Sequence, residues 1–386
     1  MVQRRLFGFA AVLSLSLLAA CGGGGGEGTT KSALTAVKVM GDSLSDSGAF
    51  RGLPSANDGL GMGRIFSVQA SPGTPTNIWT ERLADLVGAP ALCNFFSLVT
   101  PTSPNVSCGS FAVGGGRINN RYMTAPVNTA PFSITTQIAT AASLGNFKTS
   151  DLLLIDGGGN DVADLIGAYL KAAQGNSTPF VFMMTKTLNP VSGITTAVGN
   201  ADLPTAATLY MQALADEFYD SIKTNALDKG ATHVAVLNIP AVTKTPRFQM
   251  VLGSLPQANR APAETLFNGW IKAFNDRLAS KFSGDSRVVV VDFYAAFLDQ
   301  VAHPSQYGLT NVTDTVCPVT GRDTDGLPKY DFETCTAASL SATAGKSSPD
   351  WWKTYAFSDG FHPTPYGYQL MSQLVARSLA QAGWIQ

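Results

Sequence analysis

Short apolar runs alternating with amphipathic stretches predict an α/β fold built on a mostly parallel sheet covered on both faces. Three observations carry this. Runs such as Leu152 to Ile155 and Val288 to Val291 are too short for buried helices and too continuous for half-exposed strands. Apolar residues recur at helical spacing between them. The residues able to do chemistry follow directly on the runs, at the carboxyl ends where open parallel sheets place their ligands.

In chain order, Val37 to Met40 reads as a strand ending at Gly41. Trp79, Leu83 and Leu86 mark a helix face. Leu152 to Ile155 is a buried strand running into a glycine run, Gly157 to Gly159. Tyr210, Leu214, Phe218 and Ile222 recur every fourth residue, the mark of a helix packed on one side. Val234 to Ile239 is the next strand, Phe267, Ile271, Phe274 and Leu278 the next helix face, and Val288 to Val291 a further strand. Thr364 reads as the N-cap of a last helix with Pro365 at its first position, carrying Leu370, Met371, Leu374, Val375 and Leu379. Residues 162–205 and 299–357 are rich in Ser, Thr, Gly and Pro and read as long irregular insertions, a length usually tied to function or motion. Phe180 to Met184, inside the first, is a candidate lid or a piece of core.

The chain has 386 residues, 45% hydrophobic and 14% charged, enough for a large buried core and too apolar for a disordered protein. A formal net charge of −1 and the lack of a Lys/Arg-rich run exclude a nucleic-acid partner and a polybasic membrane-binding surface.

The amino terminus reads as a targeting segment, to be left out of the fold. Arg4 and Arg5 precede an apolar stretch of 15 residues, Leu6 to Ala20. That is short of the roughly 20 residues a membrane span needs. It ends in Leu18-Ala19-Ala20-Cys21, which resembles a bacterial lipobox; the resemblance implies cleavage before Cys21 and lipidation of that residue. An ordinary signal peptide ending in small residues is the alternative, and the Arg pair is also compatible with twin-arginine export. Gly22 to Gly26, followed by Glu27, Gly28, Thr29 and Thr30, makes a flexible tether. A Gly-rich coil of about 14 residues spans roughly 20 Å. The expected organisation is a signal peptide over 1–20, a lipidated Cys and tether over 21–35, and a single domain over 36–386. The expected location is the bacterial cell envelope, lipid-anchored and at the outer membrane, with a periplasmic or secreted form as alternative. Oligomeric state is left open.

With Cys21 lipidated, Cys93, Cys108, Cys317 and Cys335 remain in an oxidising compartment, where disulfides persist. Four cysteines allow three connectivities. The local pairs Cys93–Cys108 and Cys317–Cys335 are favoured, because each closes a short loop among polar, turn-rich residues. No C-x-x-C occurs, which argues against a zinc ribbon or a thioredoxin-like site.

Gly41-Asp42-Ser43-Leu44-Ser45-Asp46-Ser47-Gly48 directly follows the first strand. Small residues on either side let the chain turn sharply and leave a serine hydroxyl open to a substrate and to backbone N–H groups. Alone, the segment is equally a polar turn. A nucleophilic serine needs a base, usually His at neutral pH. The chain has three: His233 beside a strand, His303 in a loop, and His362 in Asp359-Gly360-Phe361-His362-Pro363 before the capped helix. An Asp three residues before a His can reach Nδ1–H and leave Nε2 free to accept the serine proton.

Gly41-Asp42-Ser43-Leu44 with Asp46 and Gly48 resembles the first block of the GDSL family, also called the SGNH hydrolases. Three further blocks follow in the family's order: Phe111-Ala112-Val113-Gly114-Gly115-Gly116, Gly158-Gly159-Asn160-Asp161, and Asp359-Gly360-Phe361-His362-Pro363. The resemblance covers about residues 36 to 386. It implies a three-layer α/β/α sandwich around a parallel, flavodoxin-like sheet, and a serine esterase or lipase working without metal or cofactor. It implies Ser43 as nucleophile, His362 as base and Asp359 as its orienting carboxylate. The oxyanion hole would consist of the N–H groups of Ser43 and Gly115 and the Asn160 amide. The second block departs from the pattern, opening on Ser110 where Asn is usual, which puts a supporting hydrogen bond in question. The expected substrate is a lipid or short acyl ester, cleaved through an acyl-enzyme. Carbohydrate O-deacetylation, lysophospholipid hydrolysis and acyl transfer use the same residues and stay open, since loops decide the substrate. A noncatalytic envelope lipoprotein is the reading from another class. Phe50, Leu53, Leu60, Met62 and Phe66 are candidates to line an acyl groove, and Trp351 and Trp352 to form a sugar platform.

Overall fold

The computed structural model describes residues 34–51, 53, 63–124, 128–188 and 191–386. The targeting segment, Cys21 and the tether up to residue 33, and Leu60 and Met62, lie outside the described residues; Leu34 is buried and Thr35 N–H bonds to Ser150 O at 2.9 Å, so these two residues expected in the tether belong to the folded body.

Strands β1 (Ala36–Met40), β2 (Asp151–Ile155), β3 (Val234–Leu237) and β4 (Val288–Val291) form one parallel sheet in the order β1-β2-β3-β4. Their ends are aligned: Met40 lies beside Ile155, Ile155 beside Val236, and Val236 beside Val290. The carboxyl ends of all four strands therefore open on one edge. Beyond β1, residues 109–113 run parallel to the sheet, with Val39 N–H bonded to Gly109 O at 3.0 Å, Phe111 N–H to Val39 O at 2.7 Å and Val113 N–H to Gly41 O at 3.1 Å. This short pairing carries the second glycine-rich segment to the same edge.

The helices are α1 (Trp79–Leu86), α2 (Arg121–Thr124), α3 (Ile134–Ser143), α4 (Gly159–Ala173), α5 (Thr178–Lys186), α6 (Ser192–Gly199), α7 (Leu203–Asn225), α8 (Pro246–Gly253), α9 (Gln257–Lys281), α10 (Phe293–Ala302), α11 (Ala337–Ser341) and α12 (Pro365–Gln381). Alternation along the strands divides the core in two, because successive side chains leave a strand on opposite faces. Leu153, Ile155, Val234 and Val236 pack with α3, α4, α7 and α9, through Ile138, Leu165, Phe218 and Phe274 among others. Leu152, Leu154, Ala235 and Leu237 pack on the other face with α1 and α12, through Trp79, Leu83, Tyr368 and Val375. The result is a three-layer α/β/α sandwich, with β2 buried along its whole length. Thr364 caps α12 as read from the sequence, its Oγ1 accepting from Gly367 N–H at 3.1 Å.

Residues 162–205 correct the expectation of an irregular insertion: they are largely the helices α4, α5 and α6. Apolar side chains at three- and four-residue spacing outweigh the Ser/Thr-rich composition. Phe180, Met183 and Met184 are fully buried in the larger core, so this run is core and not an exposed lid. Residues 299–357 are irregular over much of their length, with the strands β5 (Asn311–Thr315), β6 (Val319–Arg322), β7 (Pro328–Tyr330) and β8 (Tyr355–Phe357). β6 and β7 form an antiparallel hairpin, and the Cys317–Cys335 disulfide joins the segments that flank it. Cys93 pairs with Cys108. Among the described residues, no helix is long and apolar enough to cross a membrane.

Leu154 is fully buried at the centre of the sheet, so Leu154→Ala should lower unfolding free energy by about 2–5 kcal/mol in a denaturant titration. A loss well under 1 kcal/mol would place it outside a tightly packed layer.

Candidate active site

The chain leaves β1 at Gly41, and that position tolerates no side chain. A Cβ there would lie 1.9 Å from Oδ1 of Asp156, the first residue after β2. Both polar groups of Gly41 are met by Gln137 of α3, whose Oε1 accepts from Gly41 N–H at 2.9 Å and whose Nε2 donates to Gly41 O at 3.1 Å. Gln137 thus acts as a side-chain surrogate for a strand neighbour at the sheet edge. Asp42 turns the chain by accepting from Leu44 N–H at 2.9 Å. Ser45 donates to Asp156 and accepts from Trp79 Nε1–H at 3.1 Å.

Asp46 ties this turn to the second glycine-rich segment. Its carboxylate accepts from Gly48 N–H (2.8 Å), Ala49 N–H (2.7 Å), Gly114 N–H (2.8 Å) and Asn94 Nδ2 (3.1 Å). Asn94 also donates to Ala112 O at 2.6 Å. Asn94 thereby joins the two segments, whereas the Ser110 hydroxyl is buried without a partner among the described residues. Sequence reasoning missed Asn94; its nearness to Cys93, bonded to Cys108 within the same loop, is the only local hint.

His362 arrives on a tight turn between β8 and α12. Ser358 N–H bonds to His362 O at 2.8 Å, and Phe357 bridges Pro363. Inside this turn Asp359 Oδ1 accepts from the backbone N–H groups of Phe361 (2.8 Å) and His362 (2.6 Å). The His362 ring stands with Nδ1 2.9 Å from Asp359 Oδ2 and Nε2 2.7 Å from Ser43 Oγ. Burial pushes the Asp359 carboxyl up, but His362 and the N–H donors outweigh it and hold the group below the usual carboxylate range. A charged Asp359 fixes Nδ1–H as the donor, so Nε2 carries the lone pair toward Ser43. Phe66, Phe332 and Phe361 pack around the imidazole, with ring centroids 5.2, 5.7 and 5.8 Å away. Ser43 itself is only 4% exposed.

The sequence-predicted donors gather on the same side. Gly115 has φ +75°, a backbone state that favours glycine, and its carbonyl is held by Arg117 Nη1 at 2.7 Å. Arg117 is anchored in turn by Asp164 on α4. Asn160 lies in the first turn of α4 and donates through Nδ2 to Gly116 O at 2.9 Å, with Asp42 Oδ2 3.5 Å away. Among the described residues, neither Ser43 N–H nor Gly115 N–H is engaged by an acceptor. The arrangement can take the proton from the Ser43 hydroxyl.

The other candidates fall elsewhere. His233 pairs with Thr232 and packs on Trp384, and His303 sits with Asp299 at the surface. Trp352 is buried and Trp351 partly so, their indole N–H groups bonded to Ser341 Oγ and Leu340 O. They pack in the core of the 317–335 region with Phe332 and Tyr330 and form no open platform. Phe66 and Phe50 lie edge to face, 5.4 Å apart, with Phe66 against His362. Among the described residues, no group of three or more His, Cys, Asp or Glu side chains is placed to hold a metal.

Residues 37–375 match the GDSL-like lipase/acylhydrolase family, and the chain belongs to it. It is a family of hydrolases that act on esters. Among relatives, the GDSL esterase/lipase EXL2 of Arabidopsis thaliana is 31% identical over 149 residues, covering 37% of this chain and 35% of the plant protein. The chain thus matches about a third of that relative's length.

Asp161, next to Asn160, is buried and accepts from Ile118 N–H at 3.0 Å. Burial is the main cause that pushes its carboxyl up to about 7, and Asp46 is pushed to about 6 in the same way. A raised carboxylate favours the fold when protonated, so this stability is present below about pH 4 and is lost as pH rises through these values. Asp161→Asn should remove part of that loss, about 2–3 kcal/mol between pH 5 and pH 8. An unfolding free energy with unchanged pH dependence would exclude Asp161 as the titrating group.

Proposed function

We propose that the protein is a serine carboxylic ester hydrolase acting through an acyl-enzyme on Ser43. The observation that carries this reading is the chain of contacts from Ser43 Oγ to His362 Nε2 and from His362 Nδ1 to Asp359, 2.7 and 2.9 Å long.

In the reaction, Ser43 Oγ attacks the ester carbonyl carbon while its proton passes to His362 Nε2. The carbonyl oxygen takes up the negative charge, facing the N–H groups of Ser43 and Gly115 and the Asn160 amide. Each such donor is worth about 3 kcal/mol at the transition state. Asp359 stabilises the imidazolium. His362 then gives its proton to the departing alcohol oxygen, the carbon–oxygen bond breaks, and the acyl group stays on Ser43. Water repeats the sequence: His362 takes its proton, the hydroxide adds to the acyl carbon, and the acid leaves as Oγ recovers the proton. Asp42 and Asp46 hold the turn and exchange no proton with substrate. Burial of the site by Phe66, Phe332 and Phe361 strengthens each of these charge interactions.

The same reading extends to location. Cys21 after Leu18-Ala19-Ala20, with the glycine run behind it, supports a lipid-anchored protein of the bacterial cell envelope.

Ser43→Ala should lower kcat on nitrophenyl esters by about 10⁴-fold or more while leaving the melting midpoint within a few degrees of wild type. Retained turnover would remove Ser43 from the mechanism. Cys21→Ala should release the protein from membranes or leave its leader uncut, as read by fractionation and intact mass. Membrane association with unchanged mass would refute the anchor.

A further inference from the structure

We propose that Phe361 separates two compartments of the substrate site, and that the apolar cavity behind its ring takes the acyl chain of the ester. This rests on the ester-hydrolase reading above. Phe361 is shared between an open cleft, lined also by Arg247, Asp323, Lys329, Phe332 and His362, and a narrow second cavity beneath the Ser43 turn. Leu44, Leu237, Val242, Phe293, Phe357 and Met371 are among the residues that line the second.

The two spaces differ in chemistry. Arg247 and Lys329 give the cleft a charged rim, with Asp323 3.8 Å from Arg247. Such a rim suits the polar alcohol part of an ester, which keeps its water. The inner cavity lies at the carboxyl end of β3 and is walled mostly by carbon, its polar lining groups being Asp42, Asp156, Asn238 and Thr245. Its wall, mostly carbon, suits an apolar chain. Asp42 and Leu44, the residues on either side of Ser43, both line it.

The ring also packs 5.8 Å from the His362 imidazole, so the partition is read from the ratio between esters and not from the rate on any one. The Phe361 N–H bond to Asp359 is made by the backbone, so shortening the side chain leaves that bond in place. Phe248 is a ring neighbour at 6.0 Å. Gly159 adds no side chain beneath it: a Cβ there would lie 3.9 Å from the Phe361 ring. With phenylalanine at 361 the inner cavity is closed to all but short or thin acyl chains, and ring size sets the chain length accepted.

The test uses the full chain and nitrophenyl acetate, butyrate and octanoate, with kcat/KM measured for each. Phe361→Ala should raise the octanoate-to-acetate ratio by about tenfold or more, the scale at which pockets sort methylenes. Phe361→Trp should lower the ratio. Val242→Phe, which fills the cavity from another of its lining residues, should cancel the gain in the Phe361→Ala background and lower octanoate use in the wild-type background. The last comparison stands even if Phe361→Ala folds poorly. Equal changes at every chain length, or a gain that survives Val242→Phe, would overturn the partition while leaving the hydrolase reading intact. Wild type inert on all three esters would instead sink the hydrolase reading, and the partition with it.

Discussion

A hydrogen bond of 2.7 Å between Ser43 and His362 joins residues 319 positions apart, and the layout of the fold serves to make that contact possible. Neither partner has freedom to search for the other. Ser43 is held two residues beyond Gly41, whose peptide is bonded on both sides by Gln137 and whose missing side chain leaves room for Asp156. His362 is held by a turn closed through Ser358 and Pro363 and by a helix capped at Thr364. With both backbones fixed before any substrate arrives, little orientational entropy remains to be lost in the reaction.

That arrangement explains the density of buried polar groups beneath the turn. Asp42, Asp46, Asp156 and Asp161 are all buried, and burial pushes each carboxyl upward. Buried carboxylates are costly unless hydrogen-bonded. Here three of them accept backbone N–H groups that would otherwise be orphaned in tight loops: Leu44 on Asp42, Gly48, Ala49 and Gly114 on Asp46, and Ile118 on Asp161. The acids are thus the fastenings of the site, and stability is given up at neutral pH to keep loops from three parts of the chain in register.

The sheet was legible because each of its strands is a continuous apolar run, and the aligned carboxyl ends follow from the parallel pairing. Ser43 and His362 were legible because each sits in a distinctive local pattern at such an end. What stayed hidden depends on side chains meeting across long separations. Gln137 satisfies Gly41 from 96 residues away, Arg117, which steadies Gly115, is held by Asp164 of α4 47 residues on, and Phe332 reaches His362 from within the disulfide-bounded segment. None carries a local signal. Residues 162–205 were misread for a different reason: their Ser/Thr-rich composition suggested loops, while the spacing of Phe180, Met183 and Met184 already described a buried helical face. The four strands named from the sequence differ from the observed ones chiefly at Asn238 and Ile239, which leave β3 to bond with α10 and α9.

The central claim is that the Ser43 hydroxyl, and no other, is made nucleophilic by His362. It is tested most directly by treating the purified protein with a fluorophosphonate and locating the adduct by peptide mass spectrometry. The account predicts one adduct per chain, on Ser43, formed rapidly in wild type and lost in His362→Ala. An adduct on another residue, or equal labelling without His362, would contradict it.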